Sequence, residues 1–201
     1  MTFTQHYDSP LGIALLAADE IGLAGLWFEG QKFFSGHLPA EHMEQETSIL
    51  AEAKRWLDIY FAGSQPDFFP PLHLTGSAFR QSVWEMLLQI PYGQTTTYGE
   101  IARQLAKKRG LARMSAQAVG GAVGHNEISV IIPCHRVVGT NGSLTGYAGG
   151  MDRKVRLLEL EHTDMTGLFV PKEKCSTLRA ADVHLRSHAG CNDGKNGYSS
   201  Q

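Results

Sequence analysis

The chain opens with three short runs rich in apolar and strand-favouring residues, at 2–9, 12–18 and 21–28, broken by Ser9-Pro10, Asp19-Glu20 and Gly30. Runs of this length between turn residues predict an antiparallel meander, with Trp27 and Phe28 helping to cover the sheet. The period then changes. Ile49, Leu50, Ala53, Trp56, Leu57 and Tyr60 recur at spacings of three and four within 46–62, which predicts an amphipathic helix stopped by Gly63. Pro66, Pro70 and Pro71 mark a linker near 63–75. Sheet and helix together make a small N-terminal domain, residues 1–73.

Helical periodicity dominates the rest. Phe79, Val83, Trp84, Leu87 and Leu88 form one stripe over 77–89, ended by Pro91-Tyr92-Gly93. Thr97-Tyr98-Gly99-Glu100 reads as a capping box opening a helix over 97–108, which Gly110 breaks. Ser115 can cap a further helix over 116–124, and two short helices across a turn suggest a helix-turn-helix. Ile128-Ser129-Val130-Ile131-Ile132 reads as a buried strand, which Pro133 ends because it cannot donate to a ladder. A turn at 139–142, a glycine-rich loop at 146–150 and a last helix over 151–161, carrying Val155, Leu157, Leu158 and Leu160, complete a second domain, residues 74–170. The sequence from 171 to 201 is polar and glycine-containing and reads as a disordered tail. The expected class is α+β: a small sheet-plus-helix domain followed by a mostly helical one.

At 201 residues and 42% hydrophobic, the composition suits a soluble globular chain. No apolar run is long enough to span a membrane, and the N-terminus lacks the basic start and apolar core of a signal peptide, so the expected setting is the cytoplasm. Three cysteines, Cys134, Cys175 and Cys191, are too few and too scattered for a disulfide framework. With no Cys-x-x-Cys pair, no metal site is expected, and His6, His37, His42 and His73 read as surface residues. The net charge of −2 excludes a wholly basic nucleic-acid wrapper. Charge is nevertheless local: Arg103, Lys107, Lys108, Arg109 and Arg113 cluster with Glu100 as the one nearby acid. Such a cluster is either a solvated helix face or a phosphate-binding patch. The helix over 116–124 leaves a second alternative open. Each interior glycine costs about 1 kcal/mol against alanine, so Gly120, Gly121 and Gly124 imply close packing against another element or entry into a narrow groove.

The chemistry centres on Pro133-Cys134-His135-Arg136-Val137. A free thiol is mostly protonated at neutral pH, and an adjacent imidazole is a standard means of activating it. Consecutive side chains of a strand point to opposite faces, so direct Cys134–His135 pairing needs a turn or a bridging water at that point. Alone, a Cys-His pair is far more often a buried structural cysteine beside a surface histidine. Its context is more specific: Gly120-Gly121-Ala122-Val123-Gly124-His125-Asn126 precedes it and Gly142-Ser143-Leu144-Thr145-Gly146-Tyr147-Ala148-Gly149-Gly150 follows. From about Phe79 to Glu161 the chain resembles the O6-alkylguanine-DNA alkyltransferases, with weaker likeness over the N-terminal part.

That resemblance implies single-use transfer of a methyl or alkyl group from O6-alkylguanine, and from O4-alkylthymine, to the protein's own cysteine. It implies no cofactor, a monomer, and double-stranded DNA bound through its minor groove. Carried over position by position, Cys134 is the nucleophile and His135, through a water, its base. Glu161 completes the relay, although by itself it reads as an exposed helix-end charge. Asn126 supports the active-site turn, and Tyr98 hydrogen-bonds guanine N3 and protonates the leaving base. The backbone of Cys134 and Val137 accepts from the exocyclic amine, the Ala148 N–H donates to O6, and Tyr147 lines the alkyl pocket. Ala116, Gln117 and Gly120 lie on the helix offered to the groove. Gln117 stands where many members have the arginine that fills the gap left by a flipped base, and Glu127 departs from the usual Asn-Pro pairing. Three other readings remain: a Cys-His hydrolase, which would turn over through an acyl intermediate, a non-catalytic helix-turn-helix binder, and a structural or regulatory domain carrying the motif by chance. The alkyltransferase-like binders lack the reactive cysteine.

Overall fold

The computed structural model describes residues 1–171. The expected tail, apart from Pro171, and Cys175 and Cys191 lie outside the described residues.

The meander forms where the strand-type runs between turn residues place it. β1 (Phe3–Ser9), β2 (Gly12–Ala18) and β3 (Leu23–Phe28) pair antiparallel in sequence order, with Ser9 opposite Gly12 at the first turn. A two-residue strand, β4 (Met43–Glu44), adds parallel to β1 and gives the order β3-β2-β1-β4. Its polarity and brevity left no periodic signal. α1 (Ser48–Phe61) starts at Thr47, whose hydroxyl accepts from the Leu50 N–H, and buries Leu50, Ala53, Trp56, Leu57 and Tyr60. The linker is partly ordered by the sheet: Leu23 N–H donates to the Pro71 carbonyl at 2.7 Å and His73 N–H to that of Leu23 at 2.9 Å.

α2 (Ala78–Leu87), α3 (Tyr98–Lys108) and α4 (Ala116–Gly124) pack on one another, and the Trp84 indole N–H of α2 reaches the Ala122 carbonyl of α4 at 2.9 Å. The capping box at 97–100 is only half formed. Thr97 Oγ1 accepts from the Glu100 N–H, but the Glu100 carboxylate turns to Arg103 and Gln104. β5 (Thr96–Thr97) pairs parallel with β6 (Val137–Val138), and α5 (Met151–Leu160) closes the described chain. One hydrophobic core runs from Leu16, Leu26 and Tyr60 of the N-terminal part to Val83, Leu105, Val123 and Ile132 of the C-terminal part.

The strand expected over 128–132 does not form. Only Ile128 bridges Leu26, and the chain then coils tightly: Ile131 N–H donates to Ser129, Ile132 N–H to Ile128, and Val130 takes φ +68°. Burial explains the difference. Every residue from Asn126 to Val138 is buried, and an apolar run enclosed on all sides has the composition of a central strand whatever its backbone does.

Candidate active site

The coil delivers Cys134 to a single turn of 3-10 helix, Cys134–Arg136, entered from Pro133. Asn126 builds this entry. Its side-chain amide donates to the carbonyls of Ile132 at 2.9 Å and Ile128 at 3.2 Å, while its Oδ1 accepts from the Ile128 N–H. The same amide nitrogen lies 3.0 Å from Cys134 Sγ as a donor. Asn126 therefore shapes the turn and touches the sulfur. Cys134 is only 4% exposed. Burial pushes its thiol up, against the Asn126 hydrogen bond, the Lys154 charge and the backbone N–H groups of Cys134 and His135. The resting group is a thiol, and its proton needs a base.

His135 is fully buried, and its Nε2 meets Glu161 Oε1 at 2.7 Å. Its Nδ1 is buried without a hydrogen-bond partner. Since the Glu161 carboxylate can only accept when ionised, Nε2 carries the proton and Nδ1 keeps its lone pair. Burial lowers the affinity of the imidazole for a second proton, which leaves it neutral and able to accept one. No direct hydrogen bond joins Cys134 and His135 among the described residues.

Glu161 is not an exposed helix end. It caps α5 at 2% exposure and receives a fork from Arg136, Nε to Oε2 at 2.8 Å and Nη2 to Oε1 at 2.9 Å. Gly93 N–H and the Tyr60 hydroxyl also donate to it. Burial alone would raise this carboxyl. Hydrogen bonds and charge from His135 and Arg136 outweigh it and hold the group far below the usual carboxylate range. Arg136 further donates to the Ile90 carbonyl at 2.6 Å and lies over the Tyr92 ring.

Lys154 went unnoticed in the sequence, although it occupies a position on the apolar face of α5. It is fully buried, and its Nζ donates to the carbonyls of Val137 and Thr145. Burial brings it down to about 8, opposed by the nearby sulfur of Cys134. It thus ties β6 to the loop 145–150 and occupies one acceptor position of the Val137 carbonyl.

The remaining expected residues divide into two groups. Tyr98 and Tyr147 lie close enough to Cys134 for its charge to raise both phenols, after burial as the larger cause, with Tyr98 brought to about 12. Tyr98 donates to the Thr145 carbonyl at 2.9 Å, and Tyr147 stands edge-on to His135 with ring centres 6.4 Å apart. Gly146, at φ +75°, must be glycine: a Cβ there would sit 2.5 Å from the Tyr98 oxygen. The Ala148 carbonyl accepts from Lys32 N–H, and Arg153 holds the Gly149, Leu11 and Glu29 carbonyls, so the glycine-rich loop is tied to the N-terminal part.

Ala116 and Gln117 stand apart from the sulfur, exposed on α4. The glycines of this helix answer the earlier alternative. A Cβ at Gly121 or Gly124 would meet nothing within 4 Å, and at Gly120 only Tyr98 at ordinary contact distance. Internal packing does not require them, and their lack of side chains leaves the outer face of α4 smooth. Glu127, the departure beside Asn126, accepts from the Trp27 indole at 2.8 Å and pairs with His37 at 2.7 Å.

Two family descriptions match the chain: the ribonuclease-like domain of 6-O-methylguanine DNA methyltransferase over residues 3–74, and the DNA binding domain of the same family over residues 78–163. A methylated-DNA–protein-cysteine methyltransferase of Mycobacterium leprae is 44% identical over 172 residues, covering 84% of this chain and 98% of the relative. One from Methanosarcina acetivorans is 45% identical over 156 residues, covering 77% and 95%. A crystal structure of Mycobacterium tuberculosis OGT in complex with DNA superposes with a TM-score of 0.68 at 42% identity, covering 80% of this chain and 92% of that one.

Proposed function

This chain belongs to the methylated-DNA–protein-cysteine methyltransferase family, and from its geometry we propose that Cys134 takes the alkyl group, with His135 and Glu161 as its proton relay. The protein repairs DNA by alkyl transfer to a cysteine, and DNA is its partner. The observation that carries the residue assignment is a buried sulfur held by the Asn126 amide, next in the chain to a buried imidazole whose Nε2 is fixed by a carboxylate while its Nδ1 lone pair is unpartnered.

The reaction balances without a cofactor. The sulfur attacks the alkyl carbon, the S–C bond forms and the C–O6 bond breaks. The thiol proton passes through one water to His135 Nδ1, and the imidazolium is stabilised by Glu161. The departing guanine takes a proton at N3 from Tyr98, whose hydroxyl leaves the Thr145 carbonyl for the base, and O6 is held by the Ala148 N–H. The imidazolium then gives up its proton and the Tyr98 phenolate regains one through solvent, so the net change moves the thiol proton to guanine. The backbone carbonyls of Cys134 and Val137 take the exocyclic amine, and Tyr147 walls the alkyl group. O4-alkylthymine is the second substrate of this site. The product thioether has no carbonyl for water to attack, so each molecule acts once.

The target atom lies inside a stacked duplex, and the nucleotide must be flipped out to reach Cys134. The smooth face of α4, with Ala116, Gln117 and Gly120, enters the minor groove, and Gln117 fills the gap. We assign DNA binding and transfer to residues 74–170, with 1–73 as the domain that braces them. The chain acts as a monomer in the cytoplasm, where Cys134 stays reduced. No helix of the described residues is long and apolar enough to cross a membrane.

Mixing the full chain with duplex carrying O6-methylguanine is expected to add one methyl group to the intact mass, on the Cys134 peptide. An unchanged mass, or a methyl elsewhere, overturns the assignment. Gln117 has no part in the attack on carbon, so Gln117→Gly should slow transfer from duplex at least tenfold while leaving transfer from free O6-benzylguanine within about twofold, since unstacking costs a few kcal/mol. Equal slowing on both substrates would make Gln117 a pocket residue instead.

A further inference from the structure

The Glu161 carboxylate receives five donors, and one of them comes from the other end of the chain. Tyr60, in the last turn of α1, donates its hydroxyl to Glu161 Oε1 at 2.6 Å. That oxygen also takes His135 Nε2 at 2.7 Å and Arg136 Nη2 at 2.9 Å, while Oε2 takes Arg136 Nε at 2.8 Å and Gly93 N–H at 3.2 Å. The Tyr60 oxygen lies 3.4 Å from His135 Nε2 itself. The phenol is fully buried, its ring stacked on Trp56 and edge-on to Phe61 and Tyr92, so the hydroxyl is aimed by packing.

We propose that Tyr60 is a positioning residue of the proton relay, acting through Glu161 to set how strongly the carboxylate draws on the His135 imidazole. This rests on the relay reading of Cys134, His135 and Glu161. The charge of a carboxylate is shared among its donors, and a hydrogen bond from a neutral hydroxyl to it is among the stronger kinds. With Tyr60 and Arg136 on Oε1, less of that charge faces His135 Nε2. Two consequences follow. The Nε2 proton stays on the ring instead of crossing to Glu161, so Nδ1 remains the acceptor. The imidazole also stays neutral to lower pH, ready to take the thiol proton. The other groups facing His135 act alongside: Arg136 from its own turn and Lys154 from α5 disfavour the imidazolium, Glu161 favours it, and the buried phenol Tyr147 and thiol Cys134 remain neutral. Tyr92, beside Arg136 and Glu161, is raised by burial and stays protonated. Tyr60 is held above its usual range by burial and then by Glu161, so it remains a donor throughout the working range.

The sign is testable because a structural role would not share it. Tyr60→Phe leaves the ring and removes the donor. Glu161 then draws harder on the imidazole, and His135 gains its second proton at higher pH. The acid limb of the transfer rate should move up by about half a unit to one unit, and the rate in the plateau above it should not fall. Replacing Tyr60 by 3-fluorotyrosine, an isosteric and better donor, should move the limb the opposite way. Imidazole nitrogen resonances of His135 in the full chain give the same titration without any turnover. Limbs and His135 titrations that coincide in all three proteins overturn the proposal, as does a lowered plateau with an unmoved limb, which would make Tyr60 a packing residue. If Tyr60→Phe fails to fold, the fluorotyrosine protein decides alone, its downward shift supporting the role and its coincidence with wild type overturning it. Wild-type protein that takes no methyl on Cys134 would instead defeat the functional reading, and the His135 titration would still report on Tyr60.

Discussion

Cys134→Ala is expected to abolish alkyl transfer completely while leaving the affinity for alkylated duplex within a few-fold of wild type. The two outcomes separate because the sulfur and the face we propose for DNA belong to different elements. The sulfur sits 4% exposed at the start of the 3-10 turn, while Ala116 and Gln117 lie exposed on α4. Removing one buried sulfur costs about 1 kcal/mol, the centre of the range for single substitutions, and the turn survives because Asn126 still holds the Ile128 and Ile132 carbonyls. Alanine has no lone pair to attack carbon, so the variant loses the acceptor itself. Intact mass after incubation with O6-methylguanine duplex, together with fluorescence anisotropy of the same duplex, makes the measurement. Methyl transfer by the variant, mapped to Cys175 or Cys191, would remove Cys134 from its role. Loss of DNA binding alongside transfer would mean that the turn and α4 are one cooperative unit.

The sequence and the structure agree where periodicity has one meaning and diverge where it has two. The meander and the helices formed within a residue or two of expectation, the helices because each buries one face and carries its period in the open, the strands because turn residues bound each run. The run 128–132 is enclosed on every side, and an all-apolar run does not distinguish a strand from a coil whose carbonyls are taken up by a side chain, here Asn126. The thiol and the imidazole beside it could be singled out as candidates from the motif Pro133-Cys134-His135-Arg136-Val137. The residues that tune them could not, because a charge gains its meaning from what is packed against it. Glu161 is exposed on a helix end in one dimension and meets five donors in three. Lys154 and Arg136 did leave a trace: a lysine on the buried stripe of a helix and an arginine inside an apolar motif are costly unless their charge is met, and Arg136 proved to be paired with Glu161 while Lys154 donates to two carbonyls. Tyr60 left none, since a tyrosine on an apolar helical stripe is ordinary core until the last atom of its side chain is placed.

Glu161→Gln is expected to slow transfer by about a hundredfold to ten-thousandfold, the usual contribution of one general acid–base group, and to destabilise the protein as well. The rate falls because the imidazolium that forms at His135 loses its counter-charge. Stability falls because Arg136 is buried and its fork then has no anion, a loss of about 3–5 kcal/mol when one partner of a buried pair is removed. The pH dependence carries its own sign. The Glu161 carboxyl is held below its unfolded value by His135 and Arg136, so its stabilisation is fully present above about pH 4.3 and is lost as the pH falls through the lower folded value. His135, lowered mainly by burial, adds a loss that begins near its unfolded value of about 6.5 as the pH falls. Wild-type Tm should therefore decline from about pH 6.5 and steepen below about pH 4.3, whereas Glu161→Gln should start lower and lack the Glu161 part of the steepening. Adding Arg136→Gln to Glu161→Gln removes the orphaned cation and should recover part of the Tm without recovering the rate. That split separates the two roles of the carboxylate: a wild-type rate in Glu161→Gln would leave it only the ion pair, and recovery of the rate with the Tm in the double variant would show that the slowing came from the damaged turn and not from the relay.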